Sequence, residues 1–247
     1  MRSGNTFLRN YLEGATGVVT GSTQPNDNTL NFQLLAAGLK GEGHLGNDTW
    51  FVKTHFPLCS PNVGIAKVKK AVVCVRNPID TMASYFEFKV TYSQNKTCNP
   101  VLYKEHAGEW DWFLREHLDM WSKFYDYWIE IAQKQVIPVY FFRFEDLVAD
   151  PTKVLKEIFE FTMDQESIEG TYLEKRIKEA IAAKTRFYQP RQGGINMNTH
   201  KYSKDQLELI KDTFRDHLNY FGYSMLPSKP SMFSFYELDN VTQADLD

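Results

Sequence analysis

The sequence predicts a three-layer α/β fold in which helices cover both faces of a central parallel sheet. Two apolar runs, at residues 71–75 and 137–142, have the length and composition of strands that are buried on both faces. Segments with helical periodicity follow both runs, and strands that alternate with helices form parallel βαβ units. The chain has 247 residues without an internal repeat or linker, so we predict one domain over 1–247.

Turn and cap signals place the remaining elements along the chain. Gly14 and Gly17 end the first helix, while Asn77-Pro78 and Asp150-Pro151 each start a later one, because Pro is favoured in the first turn of a helix. Apolar residues recur at helical spacing from Trp110 to Trp128, which predicts a buried helix face. The other predicted elements are a helix over 6–13, a strand over 50–53, and helices over 80–88, 109–133, 152–161, 173–184 and 207–221, with 20–48 mostly loop.

Composition argues against several kinds of partner. A net charge of −3 gives no general attraction for polyanions, so we predict no nucleic-acid partner. The three cysteines have neither disulfide-framework nor metal-ligand spacing, and we predict no metal. No run of 18 apolar residues is present, which predicts no membrane span in this chain.

The first residues contain a candidate anion-binding loop. Ser3, Gly4, Asn5 and Thr6 are small residues that run directly into the first predicted helix. The backbone N–H groups of such a loop can surround an anion, and the helix N-terminus adds a partial positive charge. In parallel α/β folds, ligands bind where strands end and loops turn into helices. The segments KTHFP, VRNPIDTMAS and TRFYQPRQGG lie at or after such places, so the four stretches together predict one site.

In this order and spacing, the four stretches resemble the sulfotransferases that use 3′-phosphoadenosine 5′-phosphosulfate (PAPS) as sulfuryl donor. The loop at 2–7 is similar to that family's phosphosulfate-binding loop, and Lys53-Thr54-His55 matches its K-T-H motif. The run from Arg76 to Ser84 resembles its R-N-P-x-D-x-x-x-S segment, and Arg191-Gln192-Gly193 resembles its R-K-G motif. The resemblance implies the P-loop NTPase-like sulfotransferase fold.

Some motifs also resemble particular branches of this family. SGNT, residues 15–22 and the pair Gly41 and Glu42 are most similar to the WSC-domain-containing sulfotransferases. KTHFP is equally similar to the small cytosolic sulfotransferases. The resemblance to the family as a whole covers residues 2–222.

The resemblance implies that the chain transfers the sulfuryl group of PAPS to a hydroxyl or amine of an acceptor. His55 is the expected general base toward the acceptor, because His can take a proton near neutral pH. Arg2 and Lys53, the other expected catalytic residues, act with backbone N–H groups of the loop. Fixed donors of this kind stabilise the charge on the transferred group and on the leaving phosphate oxygen.

The same resemblance implies which residues hold the nucleotide, whose product form is 3′-phosphoadenosine 5′-phosphate (PAP). Arg76 offers a planar fork to the 3′-phosphate, with the Ser84 hydroxyl in the following helix. Phe7 and Phe187 are expected to stack on the two faces of the adenine. The other expected cofactor-binding residues belong to the loop and the late segment, namely Arg2, Ser3, Gly4, Asn5, Thr6, Thr185, Arg191, Gln192 and Gly193.

Two alternative functions compete with this prediction. A nucleotide kinase or NTPase would need the motif G-x-x-x-x-G-K-[ST], and no Lys-Ser or Lys-Thr pair follows the loop. A family member that binds PAP without turnover is favoured by two departures, Asn5 for the usual Thr and Gln192 for the usual Lys, and opposed by the intact K-T-H triplet. The acceptor stays open among phenols, steroids, sugars and peptides, because the loops expected to contact it, 20–48, 57–68 and 89–108, carry no recognisable code.

The start of the chain leads to an expectation about its length. Only Met1 precedes Arg2, so no strand in this sequence can feed the anion-binding loop, as one does in P-loop-like units. We therefore expect an N-terminally shortened form of a longer protein, whose missing part would include that strand. Three glycosylation sequons leave the compartment open between the cytoplasm and the Golgi lumen, and a membrane anchor in the missing part would favour the Golgi.

Overall fold

A computed structural model describes residues 3–23, 32–36, 38–54, 68–93, 97–183 and 196–223, to which all structural statements below refer. These residues form short strands that alternate with helices. The elements are α1 (Asn5–Thr16), β1 (Gly21–Ser22), α2 (Phe32–Ala36), β2 (Val52–Lys53), β3 (Ala71–Val75), α3 (Pro78–Thr91), α4 (Leu102–Glu105), α5 (Ala107–Gln133), β4 (Val139–Arg143), α6 (Phe144–Ala149), α7 (Pro151–Met163), α8 (Tyr172–Ala182), α9 (Lys204–Thr213) and α10 (Arg215–Tyr220), with a 3-10 turn at Thr199–Lys201.

The described strands form two pairs. β1 and β2 run in parallel, with Gly21 opposite Val52 and Ser22 opposite Lys53, and β3 pairs with β4. β3 covers the predicted run 71–75, but its alternate residues are only half-buried. β2 is confined to the second half of the predicted strand over 50–53.

Two helices begin as the sequence predicts. The Asn77 side chain accepts a hydrogen bond of 2.9 Å from the Ile79 N–H, and Pro78 is the first residue of α3. The Asp150 side chain accepts one of 3.0 Å from the Lys153 N–H at the start of α7. These bonds satisfy N–H groups that have no partner inside a helix, and this is why Asn-Pro and Asp-Pro mark helix starts.

Several segments differ from the predicted elements. α1 continues past Gly14 and ends at Gly17, whose φ of +72° suits glycine. Residues 20–48 contain β1 and α2 as well as loop, and α6 follows β4 directly where no helix was predicted. The helix predicted over 207–221 is divided into α9 and α10, because Phe214 leaves helical geometry with φ −113° and ψ 15°.

The chain divides into two compact units, which we describe separately. The first unit comprises residues 1–74 and 128–193. Its core is formed by side chains of α1, β4, α6, α7 and α8. A Cβ atom on Gly14 would lie 2.9 Å from the Ala180 Cβ, so the missing side chain lets α1 approach α8 closely.

The second unit comprises residues 75–127 and 194–247, and buried side chains of α3, α5, α9 and α10 lie in it. Trp110 and Trp121 are buried, as the helical spacing predicts. The Tyr202 hydroxyl donates to the Ile79 carbonyl (2.5 Å) and accepts from the Ala83 N–H (3.1 Å), two groups that an α-helix pairs with each other. This insertion fastens the segment around Tyr202 to α3.

Candidate active site

The loop before α1 has a backbone conformation that requires glycine. Gly4, the N-cap residue of α1, has φ +89° and ψ 11° in the left-handed region. A Cβ atom there would lie 2.5 Å from Cε2 of Phe144, and closer still to Cδ2. The preceding carbonyl, that of Ser3, accepts a hydrogen bond of 2.7 Å from the Cys74 thiol at the end of β3. The loop is therefore held from two sides, by the Phe144 ring and by β3.

The start of α1 is suited to receive an anion. Gly4 has no side chain to cap the first turn, and that turn contains no Asp or Glu. The N–H groups of a helix start and the positive end of its dipole favour a negative ligand. The Asn5 side-chain oxygen is buried with no hydrogen-bond partner among the described residues. Rotation of this amide by half a turn would present an N–H donor at the same place.

Lys53, at the end of β2, belongs to a buried cluster of charges. Its side chain is 10% exposed, and its Nζ lies 3.6 Å from Oε1 of Glu42. The other Glu42 oxygen, Oε2, accepts a hydrogen bond of 2.6 Å from Nη1 of Arg9. Arg9 also donates from Nε to the Thr20 hydroxyl (2.7 Å) and from Nη2 to the Thr20 carbonyl (2.9 Å). One carboxylate therefore serves two cations, and we call Arg9, Glu42 and Lys53 the Glu42 cluster.

Glycines allow the backbone around the Glu42 cluster to pack closely. A Cβ atom on Gly21 would overlap the His44 carbonyl, and one on Gly41 would overlap the Thr20 carbonyl. In addition, the Ser22 hydroxyl accepts a hydrogen bond of 2.8 Å from the Gly43 N–H. The segment that carries Glu42 is thereby fixed against β1.

Burial and the neighbouring charges together set the pKa values of Lys53 and Glu42. Burial is the largest influence on Lys53 and lowers the pKa of its ammonium group, and the positive charge of Arg9 lowers it further, while Glu42 opposes both. Burial alone would raise the pKa of Glu42. The hydrogen bond from Arg9 and the charges of Lys53 and Arg9 outweigh this effect, and the pKa is lowered.

In the second unit, the start of α3 is joined to the segment that follows the late motif. Asp80 accepts hydrogen bonds from the backbone N–H groups of Asn196 (2.8 Å) and Asn198 (3.0 Å) and from Nδ2 of Asn198 (2.8 Å). Nδ2 of Asn77 donates to Oδ1 of Asn196 (2.8 Å). Asn196 follows Gly193 by three positions, so these bonds hold the chain shortly after the R-K-G-like motif against the start of α3.

The structure describes only some of the predicted site residues. Ser3, Gly4, Asn5, Thr6, Phe7 and Lys53 lie in the first unit, and Arg76 and Ser84 in the second. Arg76 is half-buried directly after β3, and Ser84 is buried within α3. The remaining predicted site residues lie outside the described part of the chain, namely Arg2, His55, Thr185, Phe187, Arg191, Gln192 and Gly193.

Phe7 lies in the first turns of α1 and packs into the core of the first unit. Its side chain is only 2% exposed and belongs to the core of the first unit. The ring packs edge-on against Tyr11, with centroids 4.8 Å apart, and against Phe144 at 6.1 Å. The described contacts account for the edges of the ring, and the expected stacking of adenine on Phe7 stays a prediction.

Several residues of the candidate site carry no recognisable sequence signal. The sequence patterns assign no role to Arg9 and Thr20, and Glu42 enters only through its similarity to one branch of a family. That similarity, in residues 15–22 and in Gly41 and Glu42, was the available signal. Asp80 belonged to a recognised motif, but its bonds to the segment after the late motif could not be inferred from spacing.

The described residues offer neither a metal-binding cluster nor a membrane-spanning helix. No group of three or more His, Cys, Asp or Glu side chains is placed to hold a metal ion in the described ranges. None of the helices that the structure describes is long and apolar enough to cross a membrane.

Comparison with known proteins identifies relatives of this chain. Residues 44–227 match the sulfotransferase domain family. The WSCD family members CG9164 of Drosophila melanogaster and GA21586 of Drosophila pseudoobscura pseudoobscura are each 28% identical over 160 residues, covering 64% of this chain and 47% of the relative. The WSCD family member AAEL009094 of Aedes aegypti matches with the same identity and coverage. The chain thus spans about half the length of these curated relatives.

The fold is also similar to that of a solved structure. The crystal structure of mouse sulfotransferase SULT7A1 complexed with PAP matches with a TM-score of 0.58 and 17% sequence identity, covering 88% of this chain and 80% of the other. This likeness confirms the predicted α/β sulfotransferase fold. Because the domain match extends over most of the sequence, the chain belongs to the sulfotransferase family.

Proposed function

We propose that this chain is a PAPS-dependent sulfotransferase that modifies a hydroxyl or amine of its acceptor. The observation that carries the proposal is the loop at Gly4. It has a left-handed glycine, an uncapped first helical turn without acidic residues, and a buried Asn5 amide. These features match the needs of a phosphosulfate group, which is anionic and rich in hydrogen-bond acceptors.

The charges of the first unit support an anionic ligand. In the Glu42 cluster, two cations share one carboxylate, so the cluster carries one positive charge in excess. A buried excess charge is costly unless a counter-charge is near. Arg9 lies four residues after Asn5 on the same helix, which is about 6 Å along the helix axis. The helix whose start would receive the anion therefore also carries one of the two cations of the cluster.

The nucleotide proposed here is the one bound in the mouse structural relative, whose crystals contain PAP. PAPS supplies the sulfuryl group and leaves as PAP. We assign the loop at residues 3–6 and Lys53 to the phosphosulfate end, and Arg76 and Ser84 to the 3′-phosphate. His55 is proposed as the base that takes the proton of the acceptor.

The proposal is tested by two measurements on the same preparation. Calorimetric titration should give tighter binding of PAP than of AMP, because AMP lacks the 3′-phosphate. Incubation with sulfur-labelled PAPS and a panel of phenols, steroids, sugars and peptides should transfer label to at least one class. Equal binding of PAP and AMP would argue against the nucleotide assignment. Selective PAP binding without transfer to any class would instead favour the alternative, a family member that binds nucleotide without turnover.

A further inference from the structure

The Glu42 cluster contains a carboxylate to which the family motifs assign no role. We propose that Glu42, anchored by Arg9, is the positioning residue that holds the Lys53 side chain in place as a cation at the end of β2. The proposed use of that cation, which is to bind the anionic end of PAPS, rests on the function proposed above. The control of Lys53 by Glu42 is independent of that function and rests on their contact alone.

Hydrogen bonds hold the Glu42 carboxylate in place independently of Lys53. Its Oε2 accepts from Arg9 at 2.6 Å, and both Arg9 and Glu42 are buried. Arg9 is in turn held by two hydrogen bonds to Thr20, whose N–H and hydroxyl donate to Oε1 of Glu13 at 2.8 and 2.6 Å. The carboxylate therefore cannot swing toward solvent without breaking a connected set of buried hydrogen bonds.

Lys53 depends on this carboxylate for its charge. Burial and the nearby guanidinium group of Arg9 both disfavour its protonated form, and Glu42 is the group that favours it. The other carboxylate of the network, Glu13, is bound to Thr20. The nearby His44 ring is paired with Asp48 at 2.7 Å. Removal of the Glu42 charge would leave two buried cations facing each other, which promotes loss of the Lys53 proton.

The direct test follows the titration of Lys53. In Glu42→Gln, the side chain keeps its size and can still accept from Arg9, but it no longer carries a charge. Acylation of lysine amines is measured by peptide mass spectrometry over a series of pH values, and the titration midpoint of each amine is taken from its full curve. We expect the reactivity of Lys53 at pH 8 to rise about tenfold or more relative to its high-pH plateau, since an adjacent opposite charge shifts a pKa by about one unit or more.

Matched controls separate this effect from general damage. Glu13→Gln alters the same network at Thr20 without touching Lys53 and should leave the Lys53 titration unchanged. Lys70, whose Nζ donates to the Phe161 carbonyl at 2.6 Å, takes no part in the Glu42 cluster and is an internal reference whose acylation should be the same in all variants. Glu42→Asp keeps the charge, but its side chain is one methylene group shorter, so the carboxylate lies farther from Lys53. The Lys53 curve should therefore shift in the same direction as in Glu42→Gln, but by less, and this variant serves as the test if Glu42→Gln does not fold.

A second readout links the cluster to the nucleotide. PAP affinity should fall as pH rises through the Lys53 titration, because the neutral amine no longer attracts an anion. In Glu42→Gln this fall should occur at lower pH, whereas Glu13→Gln should follow the wild type. An unchanged Lys53 titration in both Glu42 variants would overturn the inference. If wild-type protein binds no PAP at any pH, the proposed function fails, and the acylation curves still decide whether Glu42 controls Lys53.

Discussion

Replacement of Gly4 by Ala tests whether the loop before α1 is built for a ligand. Two costs are expected. A non-glycine residue at φ +89° costs about 1–2 kcal/mol. The added methyl group must also displace the Phe144 ring, and such overpacking costs about 1–3 kcal/mol. We therefore expect Gly4→Ala to lower the free energy of unfolding by about 2–5 kcal/mol.

Gly17→Ala is a matched control at the opposite end of the same helix. Gly17 also has a positive φ, of +72°, but a Cβ atom there would meet nothing within 4 Å. This variant should therefore lose only the backbone contribution, about 1–2 kcal/mol. Urea unfolding of both variants gives the comparison, and the difference between them measures the contact with Phe144.

The same pair of variants separates stability from ligand binding. Gly4→Ala should weaken PAP binding, because the shifted loop no longer directs its N–H groups together, while Gly17→Ala should bind PAP as the wild type does. In a double variant with Phe144→Ala, the extra unfolding cost of Gly4→Ala should shrink toward that of Gly17→Ala. Equal losses of stability and unchanged PAP affinity in the Gly4 and Gly17 variants would refute this account of the loop.

Three further predictions concern other parts of the chain. His55→Ala should reduce sulfuryl transfer by about 10²–10⁴ with PAP binding retained, because a general base acts on the acceptor proton; near-normal turnover of labelled PAPS would contradict it. Arg76→Ala should weaken PAP binding but barely change binding of adenosine 5′-phosphosulfate, which lacks the 3′-phosphate, and equal losses in calorimetry would show that Arg76 does not contact that group. Glu87→Gln should destabilise the fold by about 3–5 kcal/mol in urea unfolding, because it leaves Lys201 charged in a pair whose side chains are 3% and 7% exposed. The matched exposed-pair variant, Asp119→Asn, should cost less than about 1 kcal/mol, and similar losses in the two would disprove the burial argument.

Signals within a few residues of each other predicted most of the fold. Five consecutive apolar residues have few other uses in an α/β protein, so they predict strand β3. The caps at Asn77 and Asp150 are predictable from the sequence because they are local hydrogen bonds. Strand β1 was missed because two residues carry no alternation that could be detected. The break at Phe214 was missed because its side chain stays buried on the same apolar face as its neighbours, so the periodicity continues through it.

Phe7 carries two different signals in the sequence. Its position directly after the loop resembles that of a stacking partner for adenine. Phe7, Tyr11 and Ala15 are spaced by four residues, which is the pattern of one helix face, and that face packs into the core. The periodicity thus predicts the packing of Phe7 into the core, and its contact with adenine stays a prediction.

The Glu42 cluster explains why sequence spacing alone could not outline the site. Arg9 and Glu42 are 33 positions apart, and Lys53 comes from a third segment, so no periodic pattern connects them. Their association follows from a physical requirement instead. A buried arginine needs hydrogen-bond acceptors, and for Arg9 these are Thr20 and Glu42. The segments that carry Thr20 and Glu42 can approach each other because Gly21 and Gly41 have no side chains where backbone carbonyls pass. Helix α1 thus serves the candidate site twice, first with the N–H groups of its uncapped start and one turn later with the guanidinium group that fixes Glu42 beside Lys53.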